Sequence, residues 1–289
     1  MPAIHLATLI AVLNAPANDA PRFADIKLST GVRLHYAEQG PATGTPMILL
    51  HGYSDSWFSY SLVLSALSRD RRVYALDLRG HGNSDRPASG YAMRDLADDV
   101  IAFMDAKAIA RATIVGHSMG GFVAQQVALA APRRVSALVL MGTGVTPVKF
   151  NGLDEFEKAV KELSDPIPDA FAREFQMSTI QMPVSQAFVD RAVAESLKLP
   201  ARVWRQLMVG LTTYEPAVDL ARAGIPTLVI HGLKDPWVPA EQADSLAVVA
   251  GAKRIIKYPD AGHAMHWEQP AAVSRDVLAF LAEASGGRR

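Results

Sequence analysis

Apolar runs and amphipathic stripes alternate along most of this chain. Val32–Ala37 alternates like a short half-buried strand, and Gly40-Pro41-Ala42-Thr43-Gly44 then reads as a loop. Met47–Leu50 is wholly apolar, as expected of a strand covered on both faces in a parallel sheet. A helical stretch (Trp57–Ser68) and a second buried strand (Arg72–Leu76) follow. Leu96, Val100, Ile101 and Met104 then share one helical face. Ala112–Val115 predicts a strand, Met119–Ala131 a helix ending before Pro132, and Val135–Met141 another strand. Such alternation predicts a mostly parallel, doubly wound α/β sheet with helices on both faces.

The rhythm breaks between Pro147 and Tyr214. Apolar residues there recur only at helical spacing: Phe156, Val160, Leu163; Phe188, Val189, Val193; Val203, Trp204, Leu207, Leu211. Pro166, Pro168, Pro183 and Pro200 punctuate the pieces, which predicts an all-helical insertion of about four helices with the size of a lid. The α/β pattern then resumes with strand Thr227–Ile230, helix Glu241–Val249, strand Ile255–Tyr258 and a closing helix carrying Val273, Val277, Leu278 and Leu281. The expected organisation is a core over residues 22–146 and 215–289, a cap over 147–214, and an N-terminal extension over 1–21.

Composition narrows the function classes. The chain has 289 residues, 49% hydrophobic and 20% charged, enough for a sizeable core. With 29 basic and 29 acidic residues, and no basic run interleaved with aromatics, nucleic acid is not an expected partner. The absence of cysteine removes disulfides, thiolate zinc sites and a cysteine nucleophile. Ala7–Leu13 is apolar and Ala15-Pro16-Ala17 resembles a cleavage site, yet the start carries no positive charge, so cytoplasmic and exported locations both stay open. The run is too short to span a bilayer, and no stable membrane insertion is expected.

Candidate chemistry centres on Val115-Gly116-His117-Ser118-Met119-Gly120-Gly121, between a predicted strand and a predicted helix. Small residues around a serine in such a turn form a nucleophile elbow, whose sharp backbone leaves no room for side chains at the flanking positions. A serine hydroxyl needs a base, an orienting acid and a site for the oxyanion. On an elbow the partners follow the serine in the order acid, then histidine. Asp235, in a loop just past Thr227–Ile230, is the acid candidate; Asp77 and Asp85 precede the serine and break the order. His263, after Gly262 and past the last strand, is the base candidate, with His266 as its competitor and otherwise a residue of the pocket wall or of the layer behind it. Backbone N–H groups of Met119 and of Tyr53, in His51-Gly52-Tyr53, are the oxyanion-hole candidates. Trp237, Phe122 and Met119 are expected to line a substrate pocket. His117 is read as packing against neighbouring elements, and His81 and His231 as bonding to backbone. No metal-ligand spacing or phosphate-loop pattern appears, and no cofactor is expected.

These motifs resemble the α/β-hydrolase superfamily, and the likeness runs from Ile26 to Glu283. It rests on His51-Gly52, Asp77-Leu78-Arg79-Gly80-His81-Gly82-Asn83-Ser84, Gly116–Gly120, Asp235 and Gly262-His263. The resemblance implies an α/β-hydrolase fold with an inserted helical cap, and a structural role for the Asp77–Ser84 loop. His51–Trp57 is similar to the loop of epoxide hydrolases and haloalkane dehalogenases, but those use an aspartate where this chain has Ser118. The elbow and its helix, through Arg133-Arg134-Val135, look like those of enol-lactone hydrolases and small carboxylesterases. Meta-cleavage C–C hydrolases share the serine, although their Gly-Pro-Gly-rich loop is missing here, and cofactor-free perhydrolases are similar too. The expectation is a serine hydrolase acting on a small, largely apolar ester or lactone, as monomer or homodimer. C–C hydrolysis, perhydrolysis and slow-turnover reception of a small molecule are the alternatives. The cap is the part expected to move.

Overall fold

The computed structural model describes residues 20–286; the Ala7–Leu13 run and the Ala15-Pro16-Ala17 segment lie outside them. Eight strands, β1 (Arg22–Lys27), β2 (Arg33–Gln39), β3 (Met47–Leu50), β4 (Val73–Leu76), β5 (Ala112–His117), β6 (Val135–Met141), β7 (Thr227–Gly232) and β8 (Arg254–Tyr258), form one sheet. Their order is β1-β2-β4-β3-β5-β6-β7-β8. The β1–β2 and β2–β4 pairs are antiparallel, and every pair from β4 across to β8 is parallel.

The central strands are apolar on both sides because helices cover both sides. Ile114 of β5 packs in a core with Val100 and Phe103 of α2 (Met93–Ala106) and Phe122 and Val127 of α3 (Met119–Ala130). Its neighbour Val115 points the other way, into a core with Leu64 of α1 (Ser61–Leu67) and Val277 and Phe280 of the closing helix (Pro270–Gly286). Consecutive side chains alternate across a strand, so a run apolar at every position fits only this sandwich.

Three local departures from the sequence pattern have physical reasons. Arg22–Lys27 is a strand although its hydropathy barely alternates: it is a largely exposed edge held by pairing with β2. Trp57–Ser68 is two pieces, a 3-10 turn over Trp57–Tyr60 capped by the Ser56 hydroxyl, then α1. Strands β5 and β7 run to His117 and Gly232, so the turn at Ser118 begins directly at a strand end.

Four helices stand between β6 and β7: α4 (Leu153–Lys161), α5 (Asp169–Ser178), α6 (Gln186–Ser196) and α7 (Ala201–Thr212). They lie over the carboxyl ends of the strands. Tyr53, in the loop after β3, donates its hydroxyl to the Trp204 carbonyl of α7 at 2.6 Å. Among the described residues, no helix is long and apolar enough to cross a membrane.

Helix α3 approaches the sheet closely. A Cβ on Gly120 would lie 2.1 Å from the Leu50 carbonyl oxygen, and one on Gly116 would lie 2.3 Å from that of Gly120. Neither clash is with a flexible side chain, so Gly120→Ala must push α3 off β3. Overpacking of this kind costs about 3 kcal/mol or more. Chemical denaturation should show that loss, whereas Gly286→Ala, where nothing lies within 4 Å, should stay near wild type. Equal stability of the two variants would refute the close-approach argument.

Candidate active site

Ser118 occupies the junction of β5 and α3 with φ 52° and ψ −120°, a conformation that L-residues rarely adopt. It is held there from both sides. Its N–H donates to the Met141 carbonyl at 2.9 Å, and its carbonyl accepts from the Gly121 N–H at 2.8 Å. Strain of this sort costs on the order of 1–3 kcal/mol and persists only where the surroundings enforce it. The turn sets Ser118 at the amino end of α3, where helix N–H groups lack intrahelical acceptors.

Asp235 follows β7 and His263 follows β8. The His263 Nδ1–H donates to Asp235 Oδ2 at 2.8 Å, and both side chains are almost fully buried. Asp235 Oδ1 accepts the backbone N–H groups of Trp237 (2.8 Å) and Val238 (2.9 Å). Three donors therefore fix the carboxylate, and the imidazole is oriented with Nε2 as its remaining basic nitrogen. Ser118 and His263 line the same cavity. Its other walls are mostly apolar and include Met119, Phe122, Phe150, Phe156, Met208 and Trp237. Phe122 and Trp237 stand where the sequence pattern puts them.

His266 does not line that cavity. It is fully buried, its Nε2 faces the Ser59 hydroxyl at 3.0 Å, and its ring lies 4.4 Å from that of His117. The short helix Met265–Glu268 turns it into the core, so its expected pocket-wall position is corrected to one behind the site. His117 packs on the His263 ring at 4.9 Å and meets the His263 carbonyl through Nε2 at 3.0 Å. His81 meets the Arg79 carbonyl as expected, while His231 lies inside β7.

Tyr53 and Met119 also wall the cavity. Among the described residues, the backbone hydrogen bonds of the two turns use the N–H groups of Asp55, Ser118 and Gly121 and leave those of Tyr53 and Met119 uncommitted. His51 braces the first turn. Its Nδ1–H donates to the Gly52 carbonyl (2.8 Å) and its Nε2 accepts the Leu78 N–H (3.1 Å). The Asp77–Ser84 loop is a scaffold, with Asp77 accepting the N–H groups of Trp57 and Asn83.

Several residues the sequence pattern did not single out complete the site. Glu268 accepts the N–H groups of Gly262 (2.6 Å) and Met182 (3.1 Å), together with that of Gln181, which ties the His263 loop to the cap. The Ala264 N–H donates to the Thr179 carbonyl of the cap at 2.9 Å. On the other side, Asn151 donates its N–H to the Trp237 carbonyl at 2.8 Å. Asp55 is buried beneath the site, and burial pushes its carboxyl up to about 6. Nothing in Ser54-Asp55-Ser56 distinguishes it from a surface turn; only its place in the loop after β3 was a signal.

Burial holds imidazoles neutral around the site: His51 falls to about 4, His266 to about 3, His117 and His81 well below their ordinary value, and His231 below it. Asp55 and Asp77, both raised to about 6, act in the opposite sense. As pH falls from 6.5 towards 4, unfolded chains protonate these five imidazoles more readily than folded chains do. Only the two carboxyls favour the folded state over the same range. Stability should therefore drop, and urea unfolding at pH 5 should have a lower midpoint than at pH 7.5; an unchanged or higher midpoint would contradict the burial effects.

The comparisons agree with this geometry. The chain is 31% identical over 274 residues to a non-heme chloroperoxidase of Streptomyces lividans, covering 89% of this chain and 98% of the relative. It is 32% identical to a Pseudomonas 2-hydroxymuconate semialdehyde hydrolase, covering 94% and 98%. A solved hydrolase from Pseudomonas aeruginosa superposes with a TM-score of 0.80 at 30% identity, covering 90% of this chain and 98% of that one. Residues 45–270 match the family described as the alpha/beta hydrolase fold. With its mostly parallel sheet and the serine turn at the end of β5, the chain belongs to the α/β-hydrolase family.

Proposed function

We propose that this chain is a serine hydrolase that cleaves carboxylic esters or lactones of small, largely apolar substrates through an acyl-enzyme. The reading rests on one observation: the buried Asp235–His263 pair and the strained Ser118 turn share one apolar cavity. Ser118 Oγ attacks the carbonyl carbon as His263 Nε2 takes its proton. Asp235 keeps the imidazole in the right tautomer and stabilises the imidazolium. The Tyr53 and Met119 N–H groups bind the oxyanion, and His263 then protonates the leaving group. Water releases the acyl group by the same steps in reverse. Phe122, Phe150, Phe156 and Trp237 give the substrate an apolar surface, and none of these steps calls for a cofactor.

C–C bond hydrolysis is a second reading, favoured by the likeness to the semialdehyde hydrolase. A panel of p-nitrophenyl esters of increasing acyl length, lactones and a vinylogous diketone acid separates the two. Rapid turnover of the acid with slow turnover of every ester and lactone would overturn the ester reading. Release of about one equivalent from every substrate would indicate a receptor instead.

Ser118→Ala should lower kcat by roughly four orders of magnitude or more, with an unchanged melting temperature. Activity retained above a few per cent would move the nucleophile elsewhere. His263→Ala should be comparably inactive. His266→Ala should instead lower the melting temperature through its vacated core position and leave kcat within about tenfold. The opposite ranking of kcat would reassign the base.

A further inference from the structure

A second, smaller cavity also borders Ser118 and His263. It is walled by Gly52, Asp55, Gln176, Thr179 and Trp267 and leaves room for about one water molecule. The Asp55 carboxylate lies across Gly52 from Ser118. A Cβ added to Gly52 would lie 3.1 Å from Asp55 Oδ2 and 3.4 Å from the Ser118 Cβ, so little more than that glycine's missing side chain separates them.

The carboxylate has acceptor capacity to spare. Oδ1 takes one N–H of Gln176 at 3.0 Å, and the other N–H of that amide is used by the Ser196 hydroxyl at 2.8 Å. Oδ2 has the Ser59 hydroxyl at 3.3 Å, and the Gly52 N–H also favours the ionised carboxylate, which still leaves it short of a full set of donors. Ser59 has one proton, and His266 Nε2 competes for it at 3.0 Å. An ionised carboxylate accepts about four hydrogen bonds. Buried acceptors left short of donors are costly, and a water with two or more polar partners relieves that cost.

We infer that this niche holds the water that hydrolyses the acyl-enzyme, oriented by Asp55 with Gln176 steadying the carboxylate. The inference rests on the acyl-enzyme reading above. The water donates one hydrogen bond to Asp55 and gives its other proton to His263 Nε2 as its oxygen attacks the acyl carbon. The carbon–Oγ bond of Ser118 then breaks, the proton passes from His263 to Oγ, and a carboxylic acid leaves. Asp55 remains ionised throughout and exchanges no proton. Deacylation therefore depends on Asp55, and acylation, which uses no water, does not.

Stopped-flow kinetics of a p-nitrophenyl ester on the full chain test this division. Asp55→Asn should show a burst of one p-nitrophenol per site at an acylation rate within about threefold of wild type, followed by turnover slowed tenfold or more. KM should fall with kcat, leaving kcat/KM nearly unchanged, and intact mass should show the acyl group accumulating on Ser118. Gln176→Leu should show the same pattern more weakly and serves if Asp55→Asn does not fold. A kcat/KM that falls as far as kcat, or a kcat that does not change, would overturn the water niche while leaving the Ser118 mechanism standing. Activity surviving in Ser118→Ala, with no acyl adduct in any variant, would remove the acyl-enzyme reading and the niche with it.

Discussion

Everything at this site depends on how tightly α3 is pressed against the carboxyl ends of β3 and β5. The contact at Gly116 and Gly120 is backbone against backbone, so no side chain can relax it. It forces the chain through the positive-φ turn at Ser118, and the central position of β5 prevents that turn from unwinding. The same contact aims the first N–H groups of α3 at the space above the serine. Strain in the backbone and placement of Ser118 are two descriptions of one packing constraint.

The other two members of the constellation are placed by a different physics. Asp235 and His263 stand on loops, where backbone geometry alone specifies little, and hydrogen bonds to buried carboxylates do the fixing. Asp235 gathers two N–H groups of its own loop, while Glu268 gathers those of Gly262, Gln181 and Met182. A buried carboxylate is stable only with such donors, so each acidic group both requires and imposes a defined loop conformation. The Asp235–His263 hydrogen bond joins two loops that are already rigid.

Much of this was legible in the residues. β3 was readable to the residue because a buried parallel strand writes itself as an unbroken apolar run, and β6 because Ser136 is its one polar position. Ser118, Asp235 and His263 were readable because elbow chemistry demands small neighbours and a fixed order of partners. β1 was not, since an edge strand held by pairing leaves little hydropathy signal. Asp55 was not either: its partner Gln176 is 121 positions away, and only folding reveals that a polar turn has been buried. His266 was misplaced because its position depends on which way the short helix after Ala264 turns, a matter of packing against His117 and Ser59.

The helical insertion is moored at two points to the loops that carry Asp235 and His263. Asn151 grips the Trp237 backbone, and Thr179, Gln181 and Met182 grip the segment around residue 263. Lifting that roof as a rigid flap would drag the imidazole away from its carboxylate. Any change to that ceiling is therefore felt directly in the alignment of Asp235 with His263.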